Sequence, residues 1–260
     1  MNDLTQQASD ILHAHWMGGT RLDALPEALR PQTRAEGYAV QALLEPRSAA
    51  RPFGWKIAAT SAAGQAHINV DGPLAGRILQ ERLIEVGGTC PFGANHMKVA
   101  ELEFAFRMAR RLEPGRTYET GEVLDAVASL HLAIEIPDSR YDLFEKAGAP
   151  QLIADNACAN WFAVGPAAPD VWRDLDLAAH QVTGFVNDGP PQPGVGSNVL
   201  GDPRVALAWL ANELSQHGIA LEAGQTVSTG TCVAPMAIAP GDHVRGDFGV
   251  LGTIELRIGD

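Results

Sequence analysis

Two short apolar runs in this 260-residue chain carry carboxylates at positions where an ionised group is expensive to bury. One is Val99-Ala100-Glu101-Leu102-Glu103-Phe104-Ala105-Phe106, and the other is Leu130-His131-Leu132-Ala133-Ile134-Glu135-Ile136. Read as a strand, the first alternates, with Glu101, Glu103 and Ala105 on one face and Leu102, Phe104 and Phe106 on the other. The two carboxylates then project the same way from Cα atoms about 6.5 to 7 Å apart. Such a pair suits either an edge strand with one wet face or a site that holds something positive. Glu135 argues for the second, because it interrupts an otherwise apolar run. A hard divalent cation such as Mg²⁺ or Mn²⁺ fits, since these ions take oxygen ligands in an octahedron. Three carboxylates fill half of that octahedron and leave places for a substrate.

Lys56 poses the same question with opposite sign. It lies in Gly54-Trp55-Lys56-Ile57-Ala58-Ala59-Thr60. A lysine so flanked pairs with a carboxylate, has a lowered pKa suited to proton transfer, or snorkels from a strand end.

The surrounding pattern predicts an α+β chain. Leu4, Ala8, Ile11, Leu12 and Trp16 recur at helical spacing, and a second helix spans Ala35 to Leu44 with Thr33 as its N-cap. From about Arg51, short strands alternate with Gly and Pro clusters: 54–59, 75–79, 83–86, 98–107 and 129–136, with a short helical turn near 121–127. A strand over 175–186 ends in the hairpin signal Asn187-Asp188-Gly189, and an irregular loop follows. Asp202 caps a helix with Pro203 at its first position, stopping at His217-Gly218. Strands return at 225–231, 234–238, 243–248 and 252–258. The expected architecture is a curved, mostly antiparallel sheet system or roll, with residues 1–50 as a helical segment packed against it and 51–260 as a single catalytic unit.

Charge narrows the partners. Nineteen Lys and Arg face 31 Asp and Glu, a formal net charge of −12. An acidic surface repels nucleic acid and anionic lipid, so neither is expected. No long apolar run or signal-peptide pattern occurs, which predicts a cytoplasmic protein. Cys90, Cys158 and Cys232 are widely spaced and odd in number, predicting reduced thiols without a thiolate metal site. His96 stands five residues before Glu101 and either faces the site or caps the strand. Cys158 lacks a readable Cys/His/Asn arrangement, and Gly194 and Gly196 do not fit the dinucleotide fingerprint.

Seven motifs occur in one order: GxKxxxT from Gly54, ExExAF from Glu101, EIxDSR from Glu135, DNA from Asp155, NDG from Asn187, TGT from Thr229 with a later PGD, and LGxIEL near the C-terminus. In this order the chain resembles the 2-keto-4-pentenoate hydratase and 4-oxalocrotonate decarboxylase branch of the fumarylacetoacetate hydrolase superfamily. The resemblance implies a mixed β-roll, an Mg²⁺ or Mn²⁺ triad at Glu101, Glu103 and Glu135, and an active-site lysine at Lys56. It further implies substrate-binding positions at Thr60, Asn156, Cys158, Thr229, Gly230 and Thr231. The implied activity is hydration of a 2-hydroxy-2,4-dienoate in aromatic catabolism by a homo-oligomer. Alternatives are decarboxylation of a 4-oxalocrotonate-type acid, acylpyruvate hydrolysis, or a non-catalytic subunit paired with a hydratase or decarboxylase. Two positions depart from the family: Leu74 replaces an Asp of the hydratases, with Asp71 close by, and Cys158 replaces a Ser.

Overall fold

The two carboxylate-bearing runs form the longest strands of the molecule, and the fold is arranged around their pairing. The computed structural model describes residues 3–260. In chain order the elements are α1 (Asp3–Gly18), α2 (Arg34–Ala42), β1 (Gly54–Ala58), α3 (Ala62–His67), β2 (Leu74–Ile78), β3 (Leu83–Ile84), β4 (Thr89–Cys90), β5 (Val99–Met108), α4 (Thr120–Leu124) and β6 (Val127–Ile136). There follow α5 (Ala149–Ala154), β7 (Trp161–Ala167), β8 (Gln181–Val186), β9 (Gln192–Val195), α6 (Pro203–Gln216), β10 (Thr226–Thr231), β11 (Met236–Ala237), β12 (His243–Asp247) and β13 (Thr253–Ile258).

Eight strands make the first sheet, in the order β2-β1-β10-β5-β6-β7-β3 with β11 added beside β5, and five make the second, β4-β13-β12-β8-β9. Most pairs are antiparallel; β1 with β10, β3 with β7 and β4 with β13 are parallel. The roll is therefore mixed, as the family resemblance implied.

The even face of β5 supplies the core between the sheets. Leu102 and Phe104 are fully buried, and Phe104 meets Phe248 edge-on at 5.2 Å. Glycine makes the close approach possible: a Cβ on Gly246 would lie 2.9 Å from Leu102, and one on Gly184 would lie 2.4 Å from the Met236 sulfur. The odd face, with both glutamates, is left for the opposite side of the sheet.

The N-terminal helices close that opposite side. Thr33 and Glu36 form a reciprocal capping box at the start of α2, which packs on α5. Gln41, fully buried, donates to the carbonyls of Ala75 and Ile153 and so ties α2 to β2 and α5. Arg34 and Tyr38 both reach Glu213 of α6. At α6, Asp202 accepts from the Arg204 N–H and Pro203 opens the helix, as its sequence predicts.

Some elements differ from the pattern reading. The strand expected over 175–186 begins only at Gln181, because Asp176 accepts from the Ala179 N–H and folds the preceding residues into a turn. The expected loop after Gly189 contains β9, whose Pro193 is tolerated because it is a sheet edge. α3, α5, β4 and β7 were not anticipated; α3 and α5 have six residues each and show little periodicity. Among the described residues no helix is long and apolar enough to cross a membrane.

Candidate active site

β5 is no edge strand. It lies between β10 and β6, and its register sets Glu101 directly opposite Glu135 and Glu103 opposite Ala133. The wet-edge explanation of the paired glutamates therefore fails. One potential ligand oxygen from each of Glu101, Glu103 and Glu135 lies within 4.8 Å of the others. Glu103 and Glu135 are buried and Glu101 is partly so. Ser228 Oγ and the Gly230 N–H both donate to Glu103 Oε2, at 2.5 and 2.9 Å. The other Glu103 oxygen and Glu135 Oε2 are buried without a hydrogen-bond partner, and Glu135 Oε1 has only the Lys56 ammonium. Two orphaned acceptors beside a third carboxylate are costly unless a further cation lies among them.

β10 delivers those donors through a bulge. Its register with β5 shifts between Ser228 and Thr231, and Gly230 adopts φ +104° there. This turns the Gly230 N–H toward Glu103 and seats Thr60 so closely that a Cβ on Gly230 would lie 2.2 Å from the threonine hydroxyl. The expected contact residues beside it are engaged with the backbone: Thr229 Oγ1 donates to the Phe104 carbonyl and Thr231 Oγ1 to that of Val233.

Lys56 sits in the next row of the same face, paired laterally with Ser228 on one side and Gly76 on the other. Beyond Ser228 comes Ala105. Gly76, Ser228, Ala105 and Ala133 are all small, so the sheet is hollow where the charged groups meet. Lys56 Nζ lies 3.0 Å from Glu135 Oε1 and donates to the Ala157 carbonyl at 3.0 Å. Burial opposes its charge, yet Glu135, Glu101 and Glu103 together raise its pKa and keep it an ammonium. Burial pushes the Glu101 carboxyl up to about 7 and Glu135 well above the usual carboxylate range, both opposed by Lys56. Glu103 is raised by burial too, against Lys56, Ser228 and Gly230.

The Ala157 carbonyl is aimed by a strained turn. Asn156, Ala157 and Cys158 all have left-handed φ, at 55°, 50° and 60°, a conformation that costs L-residues roughly 1 to 2 kcal/mol each. Neighbours hold it in place. The Asn156 side chain both accepts from the Arg77 N–H and donates to its carbonyl, clasping β2. Asp155 is held by the buried Arg140 guanidinium and by the Ser139 hydroxyl. A Cβ on Gly76 would stand 2.3 Å from the Asn156 carbonyl oxygen, so only glycine admits the turn. Asn156 thus shapes the wall with its amide fully engaged. Sequence reading missed Gly76, Ser139, Arg140 and Ser228; the signal available was Asp155, a charge inside the apolar stretch 152–159 that demanded a buried cation.

Cys158 lies in the same turn beside Lys56, and burial, with Asp155 adding, pushes its thiol up to about 12. It is no ready nucleophile. All three cysteines are free and buried. Leu74 is fully buried in β2 and Asp71 is exposed. His96 is exposed, its ring bonded to the Asp142 carbonyl, outside the carboxylate cluster.

Hard oxygen donors beside a fixed ammonium suit a divalent cation with a bound anion. Comparison with known proteins leads in the same direction. A family model described as fumarylacetoacetate (FAA) hydrolase C-terminal matches residues 82–259. A 4-oxalocrotonate decarboxylase of Pseudomonas sp is 32% identical over 79% of this chain and 78% of its own length. The 2-oxo-hept-4-ene-1,7-dioate hydratase of Escherichia coli is 30% identical over 94% and 98%. Among solved structures, the 4-oxalocrotonate decarboxylase from Pseudomonas putida G7, complexed with magnesium and adipate, superposes with a TM-score of 0.88 at 25% identity, covering 98% of this chain and 97% of that one.

Proposed function

This chain belongs to the fumarylacetoacetate hydrolase family, and from that premise we propose that it is a divalent-metal-dependent hydratase that adds water to a 2-hydroxy-2,4-dienoate, giving a 4-hydroxy-2-oxo acid. The observation that carries the reading is the group of orphaned oxygens of Glu103 and Glu135 beside Glu101 and the Lys56 ammonium. Glu101, Glu103 and Glu135 are the proposed ligands, and their oxygens suit Mg²⁺ or Mn²⁺. When bound, such an ion would supply Lewis-acid stabilisation of negative charge at the substrate's 2-oxo oxygen.

The protein's own groups handle the protons. Lys56, held by Glu135 and the Ala157 carbonyl, donates a proton to C5 of the dienol as the 2-hydroxyl passes its own to a site carboxylate or a water, which yields a 2-oxo-3-enoate. Water then adds with its oxygen at C4 and a proton at C3, a site carboxylate or a water acting as base. Thr60 over Gly230, and Cys158 in the strained turn, are proposed to border the substrate; Asn156, Thr229, Gly230 and Thr231 are proposed to shape its pocket through their backbone. The family resemblance also carries a homo-oligomeric assembly, for which sedimentation is the check.

Decarboxylation of a 4-oxalocrotonate-type acid is the second reading. The similarity to decarboxylases favours it, as does the apolar Leu74 at a position where hydratases place an acid. Both reactions need the same electron sink and proton donor. With purified protein and Mg²⁺, hydration appears as loss of dienol absorbance from 2-hydroxypenta-2,4-dienoate with formation of 4-hydroxy-2-oxopentanoate. Release of CO₂ from 4-oxalocrotonate instead would establish the second reading. Inertness toward both, and toward acylpyruvates, would overturn the assignment as an enzyme.

A further inference from the structure

A cavity of about 460 Å³ lies apart from the carboxylate cluster, between α1, the segment after α2, the β2–β3 connection and Trp161 of β7. Trp16, Trp161 and Leu79 give it apolar walls; Arg47 and Arg82 give it cationic groups, with His13 and the carboxylate of Glu81 also in the lining. Arg82 is the unusual member. Its guanidinium carbon lies 4.7 Å from the Trp16 ring centre and 4.6 Å from that of Trp161. Among the described residues its N–H groups reach only Asn160 Oδ1 at 3.4 Å and the Met17 sulfur at 4.0 Å.

Among the described residues no carboxylate lies within ion-pair distance of Arg82. The neighbouring Glu81 accepts instead from Ser48, and Asp10 answers Arg47. A further guanidinium, Arg140, stands over the same Trp16 ring at 4.6 Å, with its own charge matched by Asp155. Burial and Arg140 hold the Arg82 pKa below its usual value against the opposing charges of Glu81 and Asp138, and burial, Arg47 and Arg82 do the same to His13. In a chain of net charge −12 the cavity gathers two guanidinium groups against the one carboxylate of Glu81 in its lining, and Arg82 has only long, neutral partners at its N–H groups.

We propose that this cavity binds a small organic carboxylate with a flat apolar body. The carboxylate takes the open N–H edge of Arg82, a geometry that arginine satisfies with two parallel bonds, and the body fills the space lined by Trp16, Trp161 and Leu79. The volume falls in the range of small-molecule pockets. The inference is independent of the reaction assigned above.

Because two tryptophans line the cavity, intrinsic fluorescence reports its occupation. Mg²⁺-loaded protein is titrated with benzoate, with benzamide as the uncharged shape and with inorganic phosphate as the charge without the body. Saturable benzoate binding is expected, about tenfold or more tighter than either control. Arg82→Met weakens it by a similar factor, while Lys56→Met leaves it unchanged. Should Arg82→Met fail to fold, Arg82→Lys and the benzoate-to-benzamide ratio on the unaltered protein decide. Absence of saturable binding, equal binding of benzamide, or indifference to the Arg82 variants overturns the proposal. Loss of binding in Lys56→Met overturns it as well, by placing benzoate in the reaction site. Sedimentation of the same samples covers the rival occupant: if Arg82→Met disrupts self-association and benzoate does not bind, the cavity is a seat for a second copy.

Discussion

Removing the divalent ion should make the protein's stability fall as pH rises through the weakly acidic range. Glu101 has a folded-state pKa of about 7 against an ordinary value of 4.5. A carboxyl whose folded pKa is raised favours the native state fully below 4.5, and that advantage is lost as pH climbs through 7. At 1.36 kcal/mol per unit the shift corresponds to about 3 kcal/mol, an upper bound because Glu101 is partly exposed and solvent screens it. Glu103 and Glu135 are shifted the same way and add to the loss. Lys56, raised from 10.5, contributes outside this window. For a chain of this size about 3 kcal/mol moves Tm by roughly 6 to 12 °C. The assay is thermal denaturation in chelator from pH 5 to pH 8, with and without excess Mg²⁺, on the unaltered protein and on Glu101→Gln. Metal binds the ionised carboxylates, so Mg²⁺ should stabilise more at pH 8 than at pH 5 and remove the downward slope. A flat Tm in chelator, or an equal fall in Glu101→Gln, would refute the reasoning.

Lys56→Met should retain Mg²⁺ binding by calorimetry while turnover drops by about 10² or more, the scale of general acid catalysis; unchanged turnover removes Lys56 from the mechanism. Gly76→Ala drives a methyl group into the Asn156 carbonyl and should cost about 1 to 3 kcal/mol in denaturant melts, with turnover falling as Ala157 shifts away from Lys56. Cys90 and Cys158, both held up to about 12 by burial, should resist iodoacetamide at pH 8 until the protein is unfolded; rapid labelling of the native protein contradicts the placement of these thiols.

The site was legible in sequence where a charge violated its surroundings. Glu135 and Lys56 each stand alone in an apolar run, and a lone charge there requires a partner, although the run does not say which one. Their meeting depends on β1 pairing with β10, a contact no local pattern encodes. The hollow beneath them was illegible for a similar reason: Gly76, Ser228, Ala105 and Ala133 look unremarkable singly and form one small-residue patch only after registers are set. Helices with strong caps, such as those begun by Thr33 and Asp202, were readable because their signals are local. The strand over 175–186 was overextended because the Asp176 turn competes with alternation through a side-chain bond that periodicity does not register.

The parallel pairing of Lys56 with Ser228 bears on biosynthesis. The lysine emerges from the ribosome with the first strand, and its neighbour arrives only with the tenth. Until then β5 and β6 can pair but lack the Ser228 and Gly230 donors that steady Glu103, so a nascent chain holds three carboxylates without their full surroundings. A contact this distant in sequence is non-local and closes late in folding. On the proposed function, fragments ending before residue 226 are expected to show neither metal binding nor turnover, because they lack the strand that carries the Ser228 and Gly230 donors.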